Sequence, residues 1–169
     1  MKNHCYENYP LKIVFLSNIL ILSIYIIDAA IIYNLGWFYS VLYLIYCLIL
    51  EIKVLKTGCV NCYYYGKICG FGKGRLSALF FKKGDPSKFS HKELKWKDMI
   101  PDMLVFIVPT LAGIFILLSN FSWLILSLIA VLLILSLFGN ALIRGLTCPK
   151  CKQSELGCPA QDLFQKNEK

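Results

Sequence analysis

Two long blocks of apolar sequence decide most of what this chain can become. From Ile13 to Leu50 the single formal charge is Asp28, and from Met103 to Ile143 there is none. One bilayer crossing takes about 20 helical residues at a rise of about 1.5 Å each, so either block suffices for two crossings. Hydrocarbon offers the backbone no hydrogen-bonding partner, which leaves helices as the economical way to bury such runs. Asn34-Leu35-Gly36 interrupts the first block near its middle, and Ser119-Asn120-Phe121-Ser122 interrupts the second. These are turn-forming residues. Trp37 and Trp123 follow the turns, where amphipathic rings sit at a membrane interface.

The expected fold is therefore all-α and integral to a membrane. It has four transmembrane helices, over Leu11–Tyr33, Trp37–Leu55, Met99–Leu118 and Phe121–Ile143, arranged as two tandem hairpins. The organisation is an amino-terminal tail (1–10), hairpin 1 (11–55), a basic loop (56–98), hairpin 2 (99–143) and a tail (144–169). A cleaved signal peptide is disfavoured at the amino terminus, because the first apolar run is too long, lacks a small-residue cleavage site and is followed at once by a second.

Charge gives the orientation. Lys56–Asp98 holds ten basic residues against three acids, and the tail from Arg144 holds five against three. The two short turns hold none. With an even number of crossings the positive-inside rule places both termini and the central loop in the cytoplasm, with the cell membrane as the location. The basic balance is thus accounted for without nucleic acid, although Tyr63, Tyr64 and Tyr65 stand among the lysines of the loop. Within that loop, Leu76, Leu79 and Phe80 fall on one helical face between basic ends. This pattern suits a short helix in the headgroup layer or, equally, one packed on the ends of a bundle.

Six of the eight cysteines form two triplets of identical spacing, Cys-x2-Cys-x6-Cys: Cys59, Cys62, Cys69 and Cys148, Cys151, Cys158, 89 residues apart. Each follows a predicted hairpin, so the chain reads as a repeat of two helices and a cysteine knuckle, both copies on the same side of the membrane. A Cys-x2-Cys turn brings two sulfurs to one side, and two such turns supply the four ligands of a zinc site. Cys59, Cys62, Cys148 and Cys151 would fill it, with Cys69 and Cys158 left over. An iron–sulfur cluster could instead take three cysteines of one triplet and a fourth from Cys5 or Cys47, and Cys158-Pro159 is the kind of step that closes some ferredoxin motifs. A reducing cytoplasm argues against structural disulfides. A redox thiol relay and reduced cysteines with nothing bound are the alternatives to a metal.

Other residues carry bland readings. Cys47, inside the second helix, is expected as a small buried hydrophobe, and His91 as a solvated surface residue. Cys69–Gly74 is glycine-rich but lacks the spacing of a nucleotide loop. Asp28 reads either as a proton or cation site or, by preference, as a residue near enough to the outer interface to reach headgroup water. Asp102, after Pro101, suits the first turn of a helix. Pro109 is expected to kink the third span.

On Cys59-Val-Asn-Cys62 with Cys69, and Cys148-Pro-Lys-Cys151 with Cys158, the chain resembles uncharacterised multi-pass membrane proteins of archaeal type. That resemblance is one of architecture and composition, and it implies no known activity. The leading expectation is a cysteine-rich platform binding zinc or an iron–sulfur cluster, used for redox chemistry, sensing or bracing. A small transporter or channel using Asp28, and a non-catalytic subunit of a larger membrane complex, are the alternatives. Nothing in the sequence points to catalysis. Lipid is the expected environment, with a homodimer or a complex partner as the expected company.

Overall fold

The computed structural model describes residues 5–90 and 96–158. Among the described residues, eight α-helices run in chain order: α1 Leu11–Tyr33, α2 Trp37–Thr57, α3 Lys73–Phe80, α4 Pro86–Ser90, α5 Trp96–Ser119, α6 Trp123–Ile134, α7 Asn140–Thr147 and α8 Lys152–Glu155. Four helical stretches among the described residues are long and apolar enough to cross a membrane, Leu11–Tyr33, Trp37–Asn61, Lys97–Ser119 and Trp123–Lys150. The last combines α6, a π-helical segment Leu135–Gly139, α7 and a 3-10 turn Cys148–Lys150. No strand occurs among the described residues, apart from an isolated parallel bridge between Tyr6 and Cys151.

The turns fall where the sequence places them. Gly36 adopts φ +136°, a conformation that favours glycine, and closes the α1–α2 turn by donating to Tyr33 O at 3.0 Å. Ser122, extended, opens α6 by accepting from Leu126 N at 3.1 Å. One helix start differs from expectation. α5 begins at Trp96, so Asp98 is the acid of its first turn, and Pro101 and Asp102 lie inside the helix. Pro101 therefore costs α5 the bond that an N–H at this position would make to Lys97 O in the first turn.

The chain divides into two units. The first comprises 1–18, 52–96 and 143–169; the second comprises 19–51 and 97–142.

The second unit is built from the apolar helices. Ile24, Ile31, Ile125, Ile129 and Leu132 form one buried cluster, and Ile32, Tyr43, Cys47, Leu50 and Val105 form another. Small residues permit the approach: a Cβ on Gly113 would stand 2.7 Å from Ile129 Cδ1, and one on Gly139 would stand 2.4 Å from Leu20 Cδ1. Outward faces are as apolar as the core, with Leu22, Phe115, Leu118, Leu124 and Phe138 exposed. That inversion suits lipid rather than water as the surrounding medium.

The first unit is built from the chain ends and the basic loop. Its buried set mixes polar with apolar: Tyr9, Ser17, Leu55, Val60, Tyr64, Ser77, Ile143, Thr147 and Gln153. In α3 the buried positions are Gly74 and Ser77, whereas Leu76, Leu79 and Phe80 are exposed. Its apolar stripe is therefore left uncovered, as an amphipathic surface helix requires. His91 and Pro159 lie outside the described residues.

Candidate functional site

All six triplet cysteines and Cys5 belong to the first unit, so both triplets contribute to one body. Each triplet starts in the same backbone form. A 3-10 turn spans Cys59–Asn61 and another spans Cys148–Lys150, each preceded by a residue in the helical region. Each turn ends on an extended cysteine, Cys62 at φ −82°, ψ 151° and Cys151 at φ −88°, ψ 119°. Cys62 N donates to Cys59 O at 3.3 Å, and Cys151 N to Cys148 O at 3.2 Å. Tyr65 N then donates to Cys62 O, and Ser154 N to Cys151 O, both at 3.0 Å.

The two segments also bond each other, and reciprocally. Tyr63 N donates to Gln153 Oε1 at 2.7 Å, while Lys152 N donates to the Tyr64 hydroxyl at 3.0 Å. Residues 63 and 152 are equivalent in the 89-residue offset, as are 64 and 153. Each triplet thus offers a backbone N–H to the other's side chain, and both of those side chains, Tyr64 and Gln153, are buried. The amino-terminal tail closes the junction. Tyr64 donates its own proton to Tyr6 O at 2.6 Å, Tyr9 donates to Thr147 O at 2.7 Å, and Tyr6 N donates to Lys150 O at 3.0 Å. Tyr6, Tyr9, Tyr64 and Tyr63 form a chain of tilted and edge-on rings with centroids 5.2–5.7 Å apart.

The junction's surface is electrostatic. Glu7 accepts from Lys67 at 2.9 Å, from Lys152 at 3.1 Å and from the Tyr63 hydroxyl. The Lys67 hydrogen bond, followed by those of Tyr63 and Lys152, holds its carboxyl at about 2. Lys67 also lies 4.2 Å from the Tyr63 ring centre.

The sulfurs themselves sit in mixed surroundings. Burial pushes the Cys62 thiol up to about 12, the Tyr64 N–H pulls it down, and Cys151, Cys69 and Cys59 push it further up. Cys151 is likewise raised, first by burial, with the Ser154 and Gln153 N–H groups opposing. Tyr64 and Gln153 are again equivalent, so each second cysteine receives an amide from the residue two places on. Gly74 N stands 3.4 Å from Cys69 Sγ. Cys148 is exposed. Cys5 hydrogen-bonds Glu155 at 3.2 Å, which raises its thiol.

No disulfide joins the described cysteines. Among the described residues no three His, Cys, Asp or Glu side chains stand close enough together to hold a metal ion. The triplets are therefore gathered into one unit without their sulfurs converging. Cys47, considered as a spare ligand, is buried between Tyr43, Leu50 and Val105 in the second unit, the bland reading given above.

The preferred reading of Asp28 does not hold. Its side chain is wholly buried, with no access to headgroup water, and its Oδ1 has no hydrogen-bond partner.

Comparisons with protein-family models, with curated proteins and with solved structures found no match, so a functional reading has to stand on this chain's own residues.

Proposed function

We propose that the chain is a multi-pass membrane protein whose first unit, on the cytoplasmic side, is a thiolate platform that takes up a soft metal ion or a small iron–sulfur cluster. The carrying observation is the reciprocal pair of bonds, Tyr63 N to Gln153 and Lys152 N to Tyr64. It braces two Cys-x2-Cys turns of matching backbone form as partners, which is the arrangement expected of a duplicated unit of two helices and a cysteine knuckle.

The chemistry follows from the surroundings of Cys62 and Cys151. Burial keeps both thiols protonated, against the lowering effect of neighbouring backbone amides. Such a thiol ionises poorly alone but readily once a cation takes the proton's place, because the amides then stabilise the thiolate. Cys62 and Cys151 would be the anchoring ligands. Exposed Cys148, together with Cys59, Cys69 or Cys158, would complete the set by side-chain rotation, drawing the turns together. Four thiolates around a divalent ion leave net negative charge, which Lys67, Lys150 and Lys152 on the same unit offset. Zinc would suit a set of Cys59, Cys62, Cys148 and Cys151; a cluster would draw on Cys69 or Cys158 as well.

The test is metal and acid-labile sulfide content, with a visible spectrum, on protein purified anaerobically in detergent. Wild type should carry stoichiometric zinc, or iron with sulfide, and the double variant Cys62→Ser/Cys151→Ser should lose it. Metal-free wild type, or equal metal in the double variant, would overturn the proposal.

A further inference from the structure

Asp28 stands in the second unit, whose only basic residue is Lys97, which is exposed. An ionised carboxylate there would be buried with no cation opposite it, which is strongly unfavourable. Its Oδ2 lies 2.7 Å from the Tyr43 hydroxyl, and that hydroxyl lies 3.2 Å from Val105 O. Val105 O is a special carbonyl. Its helical donor would be the N–H of residue 109, and residue 109 is proline, which has none. One phenol carries one proton and cannot satisfy two acceptors at once. If Asp28 carries a proton, both contacts of the phenol are satisfied: the carboxylic acid donates to Tyr43 and Tyr43 donates to Val105 O, leaving only the uncharged carbonyl oxygen Oδ1 without a partner.

The same hydroxyl begins a line of proton-bearing groups. Tyr43, Cys47 and Glu51 are spaced four apart and so share one face of α2. Cys47 lies one helical turn along α2 from Tyr43, in the same buried cluster. From α1, Tyr25 donates to Glu51 at 2.9 Å. Tyr46, also on α2, donates to Pro101 O of α5 at 2.8 Å. α6 adds only aliphatic side chains to the adjoining core, Ile125, Ile129 and Leu132. Glu51, half-buried, is the end of the line nearest the basic segments of the sequence.

We infer that Asp28 is a proton-loading site, with Tyr43, Cys47 and Glu51 as the path by which its proton exchanges with water. In each transfer an O–H bond forms at Asp28 as the Tyr43 O–H breaks. Tyr43 is refilled from the Cys47 S–H, Cys47 from the Glu51 carboxyl and Glu51 from a hydronium ion, which is left as water, so the net change is one proton gained by Asp28 from the medium; unloading runs the same steps in reverse. This site is independent of the thiol platform, and it would suit a protein that moves or senses protons.

Infrared difference spectroscopy on the full chain reconstituted in phospholipid vesicles tests this. Wild type at neutral pH should show a carboxylic-acid carbonyl band that Asp28→Asn removes and that shifts in heavy water. Tyr43→Phe keeps the ring and removes the relay, so the exchange should slow by about 100-fold, the scale of a positioned proton-transfer group. Cys47→Ala should slow exchange in the same direction and stands in if the Tyr43 variant fails to fold. Absence of an Asp28-dependent band at neutral pH would overturn the inference. So would exchange in a folded relay variant as fast as in wild type.

Discussion

Tyr64→Phe is the most informative single change in the first unit, because it deletes one oxygen and leaves the ring. That oxygen accepts from Lys152 N at 3.0 Å and donates to Tyr6 O at 2.6 Å. Tyr64 is 2% exposed, so water has little room to replace it. A hydrogen bond of this kind contributes about 1 kcal/mol net, and more where a buried partner is orphaned. Lys152 and Tyr6 are both half-buried, so partial rehydration limits the excess. Two bonds therefore sum to about 2 kcal/mol. That loss falls on the first unit and should appear as local opening rather than as melting of the apolar helices. About 2 kcal/mol multiplies the open population by about 30. Maleimide labelling of Cys62 and Cys151 under native conditions in detergent reads that population, and both rates should rise together by about 30-fold. Gln153→Ala removes the reciprocal acceptor of Tyr63 N, 2.7 Å away, and should act on the same pair. The double variant should then add less than the product of the two effects, since neighbours in one junction are not additive. Unchanged labelling of both cysteines in both variants, or fully independent effects, would refute the pairing argument.

Two further outcomes follow from the same unit. Gly74→Ala gains about 1 kcal/mol of helix propensity, but its Cβ would meet Tyr64 O at 2.2 Å and Lys67 O at 2.8 Å. Both are backbone atoms that cannot rotate away, so the clash should win by about 2 kcal/mol or more, and a folded protein labelled no faster at Cys62 would contradict this. Glu7 has a carboxyl held at about 2 against a usual 4.5, so its contribution is complete above about 4.5 and fades as pH falls toward 2. Amide exchange at Tyr6 and Tyr9 should accelerate beyond its intrinsic pH dependence across that window in wild type, and the excess should be absent in Glu7→Gln; an identical profile in the two would dismiss the ion cluster as a brace.

What the sequence made legible was whatever depends on composition over a long window. Two apolar blocks, one with a single charge and one with none, each broken by a turn, suffice for four long helices, because hydrocarbon leaves the backbone no other solution. α1 keeps the expected limits, Leu11 to Tyr33, and α2 runs two residues beyond its expected end. α5 starts three residues before its expected limit and carries Pro101 inside it. The identical cysteine spacing likewise predicted matching local turns, and Cys59–Cys62 and Cys148–Cys151 do share a form.

Side-chain reciprocity was not legible in the same way, for a physical reason. Tyr64 and Gln153 occupy equivalent places yet share no chemistry beyond an oxygen that can accept from an N–H. Residue identity therefore hides what geometry equates. Asp28 was misjudged by a related route. Depth along the sequence suggested an interface, but burial depends on what α2 and α5 put beside it, and that information is scattered over Tyr43, Val105 and Pro109. One signal was available: Tyr43, Cys47 and Glu51 recur every four residues in an otherwise apolar helix, a polar stripe that lipid would not tolerate and that therefore had to face a neighbour. Read that way, the stripe calls for a polar partner within the same bundle, and Asp28 is the only acid of α1.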